Sequence, residues 1–373
     1  MKVGILTLPI AENYGGILQS LALYLYLCDR GHDVVLIYKD TKPVMWKKII
    51  RGLLFRIPFH NYRNIKTSDN RIEWRKRKIF HRAFIEANIS DISDALYTTN
   101  ELNKFAIIED FFAVIVGSDQ VWAIDKSSDI HYKNYFLDFI DSNSKTKKIA
   151  YAASYGKRKI LDRHERNEIT ELMADFESIS CREKSGVTIC EDLLTNRDIS
   201  HVLDPTFLID KEIYVNKFIS QSNSVESNKV SLATYILDPS DDKDEIVSKI
   251  YDYADCNEVI NLKSYGKADC IYTIPQWLQE IHNAEFIITD SFHGMVFSII
   301  FEKEFLVIGN EARGLDRFTS LLSILNLEDR MVLNGSEFIS EHLAPLDYNK
   351  VNKILDREKM NSMFFLDNAL KQK

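Results

Sequence analysis

The segment from Val3 to Tyr38 limits what this chain can fold into more than any other feature. "VGILTL" (3–8) is an apolar run of strand length, and "PIAENYGG" is a turn carrying two glycines. "ILQSLALYLYLCDRG" then spaces its apolar residues as a helix does and closes on Gly31, before "DVVLIY" (33–38) forms a second strand. Strand, helix and strand over so short a distance make a βαβ unit, whose strands are parallel and whose crossover is right-handed. A parallel sheet is buried on both faces, so the rest of the chain has to supply helices for two sides.

The same rhythm runs on through "FFAVIVGSDQVW" (111–122), "KKIAYAASYG" (147–156), the amphipathic "RHERNEITELMADF" (163–176) and "ESISCRE". At "HVLDPTFLID" (201–210) an Asp-Pro pair interrupts it, because the residue before proline avoids the helical region. A second alternation follows. "VSLATYIL", "EVINLK", "EFIIT" and "EFLVIG" read as strands, with "DDKDEIVSKIYDYADC", "PQWLQEIHNA" and "SFHGMVFSIIFEK" as helices between them. The last 20 or so residues form one more amphipathic helix, placed to cross back over the first domain. The expected fold class is α/β, with two doubly wound, Rossmann-like domains at 1–205 and 206–373 facing a cleft, the GT-B-like architecture. A length of 373 residues suits two such domains.

Composition removes several kinds of function. No run nears the roughly 18 consecutive apolar residues of a membrane span, and the N-terminus lacks a signal-peptide cleavage pattern. Five scattered cysteines without CxxC spacing, and nine dispersed histidines, argue against a disulfide framework and a zinc site, so no metal and a reducing, cytoplasmic setting are expected. There is no GxGxxG and no GxxxxGK[ST], so neither a nicotinamide or flavin cofactor nor P-loop phosphoryl transfer is indicated. Charge is uneven. Residues 41–82 hold 13 Lys or Arg against Asp69 and Glu73, and sit in a basic insertion at about 41–100 of a chain whose net charge is −8. Aromatic residues interleave with those cations, which fits an anionic membrane surface, a solvated helix face or a loop over the cleft. No nucleic-acid-binding motif accompanies them.

Ligands of open parallel sheets bind beyond the carboxyl ends of strands, where turns feed helix N-termini. Five turns meet that description: Asn13-Tyr14-Gly15-Gly16, Gly117-Ser118-Asp119-Gln120, Ser154-Tyr155-Gly156, Cys181-Arg182-Glu183 and Asp290-Ser291-Phe292-His293-Gly294. The first lets backbone N–H groups approach an anion, or is simply a tight turn. Asp119 is a helix cap or a catalytic carboxylate. Arg182 is a bidentate clamp for carboxylate or phosphate, or a surface ion pair. With Asp290 or Ser291 capping the helix, His293 falls in its first turn and projects into the cleft without needing burial. A helix N-terminus lowers a histidine pKa and a bound anion raises it, so a substrate anion would charge the group that donates to it.

"NYGGILQSLALYLYLCDRGHDV", "VIVGSDQVW", "YAASYG", "SISCREKSG", "LDPTFLI" and "ITDSFHGMVFSIIFEKEFLVIG", taken in order, resemble the polysaccharide pyruvyl transferase family over nearly the whole chain. The resemblance implies transfer of pyruvate from phosphoenolpyruvate onto two hydroxyls of one sugar, giving a cyclic ketal and phosphate without metal or nucleotide. It implies His293 as acid, Asp119 as base, and Arg182, Ser154, Gly156, Ser291 and Arg313 as donor contacts. Asn13, Gly15, Gly16 and Gln120 would form an acceptor or anion-binding turn. Members often carry Arg-Leu-His where this chain has Ser291-Phe292-His293, so Arg313 or Arg317 is left to supply the missing charge. Such acceptors are commonly lipid-linked, which would place the enzyme at the inner face of the membrane. A GT-B glycosyltransferase using a nucleotide sugar, or a binding protein of the same fold, are the competing readings.

Overall fold

The computed structural model describes residues 1–9, 13–40, 67–123, 131–157, 162–219, 231–254, 256–262, 272–335 and 337–372, with side chains from 77 onward in the helix that starts at Thr67. Strands β1 (Lys2–Leu6), β2 (Asp33–Ile37), β3 (Ala113–Val116), β4 (Lys147–Ala153), β5 (Phe176–Cys181) and β6 (Ile199–His201) form one parallel sheet in the order β2-β1-β3-β4-β5-β6. A second parallel sheet has the order β11-β10-β9-β7-β8, built from β7 (Ser231–Tyr235), β8 (Glu258–Asn261), β9 (Phe286–Thr289), β10 (Glu304–Ile308) and β11 (Met331–Val332). In the first half the helices are α1 (Tyr14–Asp29), α2 (Thr67–Asn88), α3 (Thr99–Glu109), α4 (Arg163–Ala174) and α5 (Lys184–Leu193). In the second they are α6 (Asp241–Tyr253), α7 (Ile274–Asn283), α8 (Phe292–Ile300), α9 (Asp316–Leu325) and α10 (Tyr348–Ala369).

Local chemistry sets the ends of α1. Asn13 Oδ1 accepts the Gly15 N–H at 3.1 Å, and at the other end His32 N–H reaches Leu27 O while Gly31 N–H reaches Cys28 O. That pair of bonds is a Schellman cap, and it needs Gly31 at its φ of 77°. The strands show why their sequences read as unbroken apolar runs. Val3 and Ile5 enter one core and Leu6 another, while Ile287 and Ile288 likewise part to opposite faces. Each sheet is therefore covered on both sides, as parallel pairing requires.

The middle layer belongs to both halves. Tyr14, at the start of α1, stacks on Trp277 of α7 with ring centres 5.1 Å apart, and its hydroxyl donates to Tyr272 O at 2.7 Å. The last helix, α10, spans the same layer. Leu203 N–H donates to Ser362 Oγ at 2.9 Å and Tyr26 donates to Asp367 at 3.0 Å, while Tyr348 at its other end donates to Lys303 O. Most of the basic stretch, 41–66, lies outside the described residues; in its helical remainder Lys78 and Arg82 pair with Asp40 and Glu86. No described helix is long and apolar enough to cross a membrane.

Candidate active site

The carboxyl ends of β3, β4, β5 and β6 meet the N-terminus of α8 at one buried cluster. Arg182 directly follows β5, and its side chain runs under Asp204, which follows β6. Arg182 Nη1 donates to Asp204 Oδ2 at 2.7 Å and to Ser118 Oγ at 3.2 Å, and Ser118 Oγ donates to Asp204 Oδ2 at 2.9 Å. The other Asp204 oxygen accepts from the backbone and hydroxyl of Thr206 at 3.1 and 2.8 Å. Burial opposes ionisation of Asp204, yet His293 and Arg182 beside it hold its carboxyl well below the usual carboxylate range. Burial likewise opposes the charge of Arg182, but Asp204 and Asp119 raise its pKa above the ordinary arginine value.

His293 arrives from the second half. Ser291 caps α8, its side chain accepting the Gly294 N–H at 3.4 Å, which puts His293 in the first turn. Nε2 stands 3.6 Å from Asp204 Oδ2. Arg182 and His293 thus approach one carboxylate oxygen from opposite sheets. His293 is buried, at 4% exposed. Gly15 explains the closeness, for a Cβ there would lie 1.9 Å from His293 Nδ1. The glycine in the first turn of α1 makes room for an imidazole, and its own N–H is taken by Asn13.

Several polar atoms in this cluster are buried and have no hydrogen-bond partner: Arg182 Nε and Nη2, His293 Nε2, Glu183 Oε2 and Arg317 Nε. Native interiors rarely leave such groups unsatisfied, and here they gather around one ion pair. One edge of the Arg182 guanidinium is spent on Asp204, and the Nε–Nη2 edge has the paired N–H geometry that carboxylate and phosphate accept. Asp119 Oδ1 lies 3.7 Å from that edge.

The remaining candidates divide between site and scaffold. Asp119 sits in the left-handed region at φ 74°, an uncommon conformation for a non-glycine residue that concentrates at functional sites. Its Oδ1 accepts the Gln120 N–H at 2.9 Å, and no helix begins in the described residues up to 123. It turns the chain rather than capping a helix. Gly16 faces Asp119, with an added Cβ 3.3 Å from Oδ2. Ser154 Oγ accepts the Gly156 N–H at 3.1 Å, and Gly156, at φ 64°, lets the Gln120 amide lie over the turn. Arg313 is held away, gripping Asp238 through Nε and, at 2.9 Å, through Nη2. Asp204 is the residue that reading the sequence missed; Asp-Pro after a short strand at the sheet's carboxyl end was its signal. Glu183, in a recognised turn, accepts the Tyr155 N–H at 2.9 Å, and burial raises its pKa against the pull of Arg182. Among the described residues no group of His, Cys, Asp or Glu is arranged to hold a metal ion.

Comparison with known proteins agrees with this architecture. A Listeria monocytogenes protein described as a UDP-N-acetylglucosamine 2-epimerase superposes with a TM-score of 0.51 at 12% identity, covering 96% of this chain and 90% of that one. The likeness is one of fold. The UDP-GlcNAc 2-epimerase from Neisseria meningitidis gives a TM-score of 0.46 at 12% identity over 99% of each chain. No curated protein sequence matches. A family model described as polysaccharide pyruvyl transferase matches residues 13–312.

Proposed function

The chain belongs to the polysaccharide pyruvyl transferase family, and from that premise we propose that it moves pyruvate from phosphoenolpyruvate onto two hydroxyls of a sugar as a cyclic ketal. One observation carries this reading. His293 Nε2 and the Nε–Nη2 edge of Arg182 lie beside a single Asp204 carboxylate, buried and without hydrogen-bond partners. A proton donor and an anion clamp within one small molecule's span are what an enol phosphate needs.

In this mechanism Arg182 takes an anionic group of the donor, and His293 gives its Nε2 proton to the methylene carbon. The C=C pair becomes a C–H bond, and positive charge gathers at C2. The first sugar hydroxyl adds there, passing its proton to Asp119. The second hydroxyl adds at C2, passing its proton to the now neutral His293, as the bond between C2 and the phosphate oxygen breaks, so phosphate leaves and the ketal closes. Asp204, 3.6 Å from Nε2, positions the imidazole beside the Arg182 clamp.

Thermal-shift titration tests the donor. Phosphoenolpyruvate should stabilise the protein and UDP or GDP should not; stabilisation by the nucleotides alone would transfer the protein to the glycosyltransferase reading. Phosphate release from phosphoenolpyruvate in a mixture of sugars separates an enzyme from a binding protein.

A further inference from the structure

We propose that Arg317 is the second guanidinium of the anion site, and that with Arg182 it clamps a phosphate or carboxylate against the two opposed sheet edges. Arg182 belongs to the first half and Arg317 to α9 of the second. Both face one aromatic ring. The Arg182 guanidinium carbon is 4.5 Å from the centre of Phe292 and that of Arg317 is 5.8 Å from it, within the range at which a ring face attracts a cation. Arg317 is 7% exposed and its Nε has no partner. Among the described residues its one hydrogen bond, from Nη2 to Arg313 O at 3.2 Å, fixes its posture.

The loop that brings Arg317 here is built for close approach. Gly314, at φ 83°, lies against the first half, where a Cβ would come 2.9 Å from Lys157 Cβ and 3.0 Å from its Cα. Lys184 N–H, at the start of α5, donates to Ser320 Oγ of α9 at 3.0 Å. Two guanidiniums are therefore held near each other with N–H groups to spare. Burial and then the neighbouring Arg182 push Arg317 down to about 10, while Asp119 and Glu183 oppose that shift. Asp204, which neutralises Arg182, has both oxygens engaged elsewhere. A bound anion relieves the repulsion between the two cations. Ser291 offers no charge here, because its hydroxyl is spent on capping α8, so the second cation has to come from Arg317.

This deepens the reading above and depends on it for the identity of the anion, not for the clamp. Isothermal titration of wild type, Arg317→Met, Arg317→Lys and the remote charge control Arg163→Met, with inorganic phosphate and with phosphoenolpyruvate, tests both. Arg317→Met should weaken both ligands at least tenfold, Arg317→Lys should recover part of that loss, and Arg163→Met should match wild type. In turnover assays KM should rise while kcat stays within a few-fold. Phosphate binding that depends on Arg317 without any phosphoenolpyruvate binding keeps the clamp and discards the pyruvyl donor. Equal affinities in wild type and Arg317→Met, or a wild type that binds neither anion, overturn the clamp. Circular dichroism confirms that the variants fold, and if Arg317→Met does not, the comparison of wild type with Arg317→Lys decides.

Discussion

At the carboxyl edge of the first sheet, Arg182 spends one nitrogen on Asp204 and leaves Nε and Nη2 without hydrogen-bond partners. At the matching edge of the second sheet, Asp290 after β9 accepts from Lys243 Nζ at 2.7 Å, from the Asp238 N–H at 3.0 Å and from the Leu237 N–H. Backbone N–H groups after a strand are where a phosphate is often cradled in open α/β sheets. Here the protein's own carboxylate fills that cradle and its own lysine neutralises it. The two edges share a topology and part in their bookkeeping, one closed upon itself and one short of an anion. A nucleotide donor would call for the second edge to be open, so the difference favours a small anion held near the first.

Substitutions can break that contrast. The largest effect should come from Asp204→Ala, which strands Arg182 as a buried, poorly compensated charge and should cost about 3–5 kcal/mol of stability, read by denaturant unfolding. Lys243→Met should also destabilise, by leaving Asp290 uncompensated, yet leave the phosphoenolpyruvate affinity near wild type. A variant that lost both would show the edges to be coupled. His293→Ala should lower kcat by about 10²–10⁴ while the fold, read by circular dichroism, stays intact, as befits a proton donor. Gly15→Ala should cut kcat by about 10² through displacement of the imidazole, although alanine suits a helix better than glycine. Unaltered turnover in that variant would remove the imidazole's position from the mechanism.

Acidity supplies the smallest and sharpest test, because two carboxyls of the same edge carry opposite signs. Asp204 has a depressed pKa in the folded state, so its contribution is present above the unfolded value of about 4 and fades as pH falls below it. Glu183 has a raised one, so its ionisation costs stability as pH climbs from about 4.3 through the folded value. Glu183→Gln should flatten the decline on the alkaline side and leave the acid limb in place. Unfolding midpoints measured across pH in the two proteins give the answer, and superimposable curves would remove Glu183 from this role.

Much of the fold was legible because periodicity and turn chemistry agree. The βαβ unit at 3–38, the capping glycine at 31 and the strand before Asp290 all follow from local rules. Of the candidate site, His293 and Arg182 stood out in the sequence because each lies in a turn after a strand, and the structure brings both to one carboxylate. The site was obscure where tertiary contact decides. Asp204 lies after a strand of three residues, too short for a period to show, so the segment reads as a mere crossing point. Gly15 has the look of an anion-binding turn, and only the approach of α8 reveals that its missing side chain serves His293. Arg317 and Arg313 stand four residues apart in one loop and helix start. Nothing local tells which of them Asp238 captures.

The last helix has a mechanical consequence. Through Ser362 it grips the backbone at Leu203, next to Asp204, and through Tyr348 it grips the end of α8 and Lys303. A rod pinned to both lobes resists stretching, so any widening of the mouth to admit a bulky sugar has to swivel about this strut. The fulcrum of that swing lies one residue from the carboxylate that Arg182 and His293 both approach.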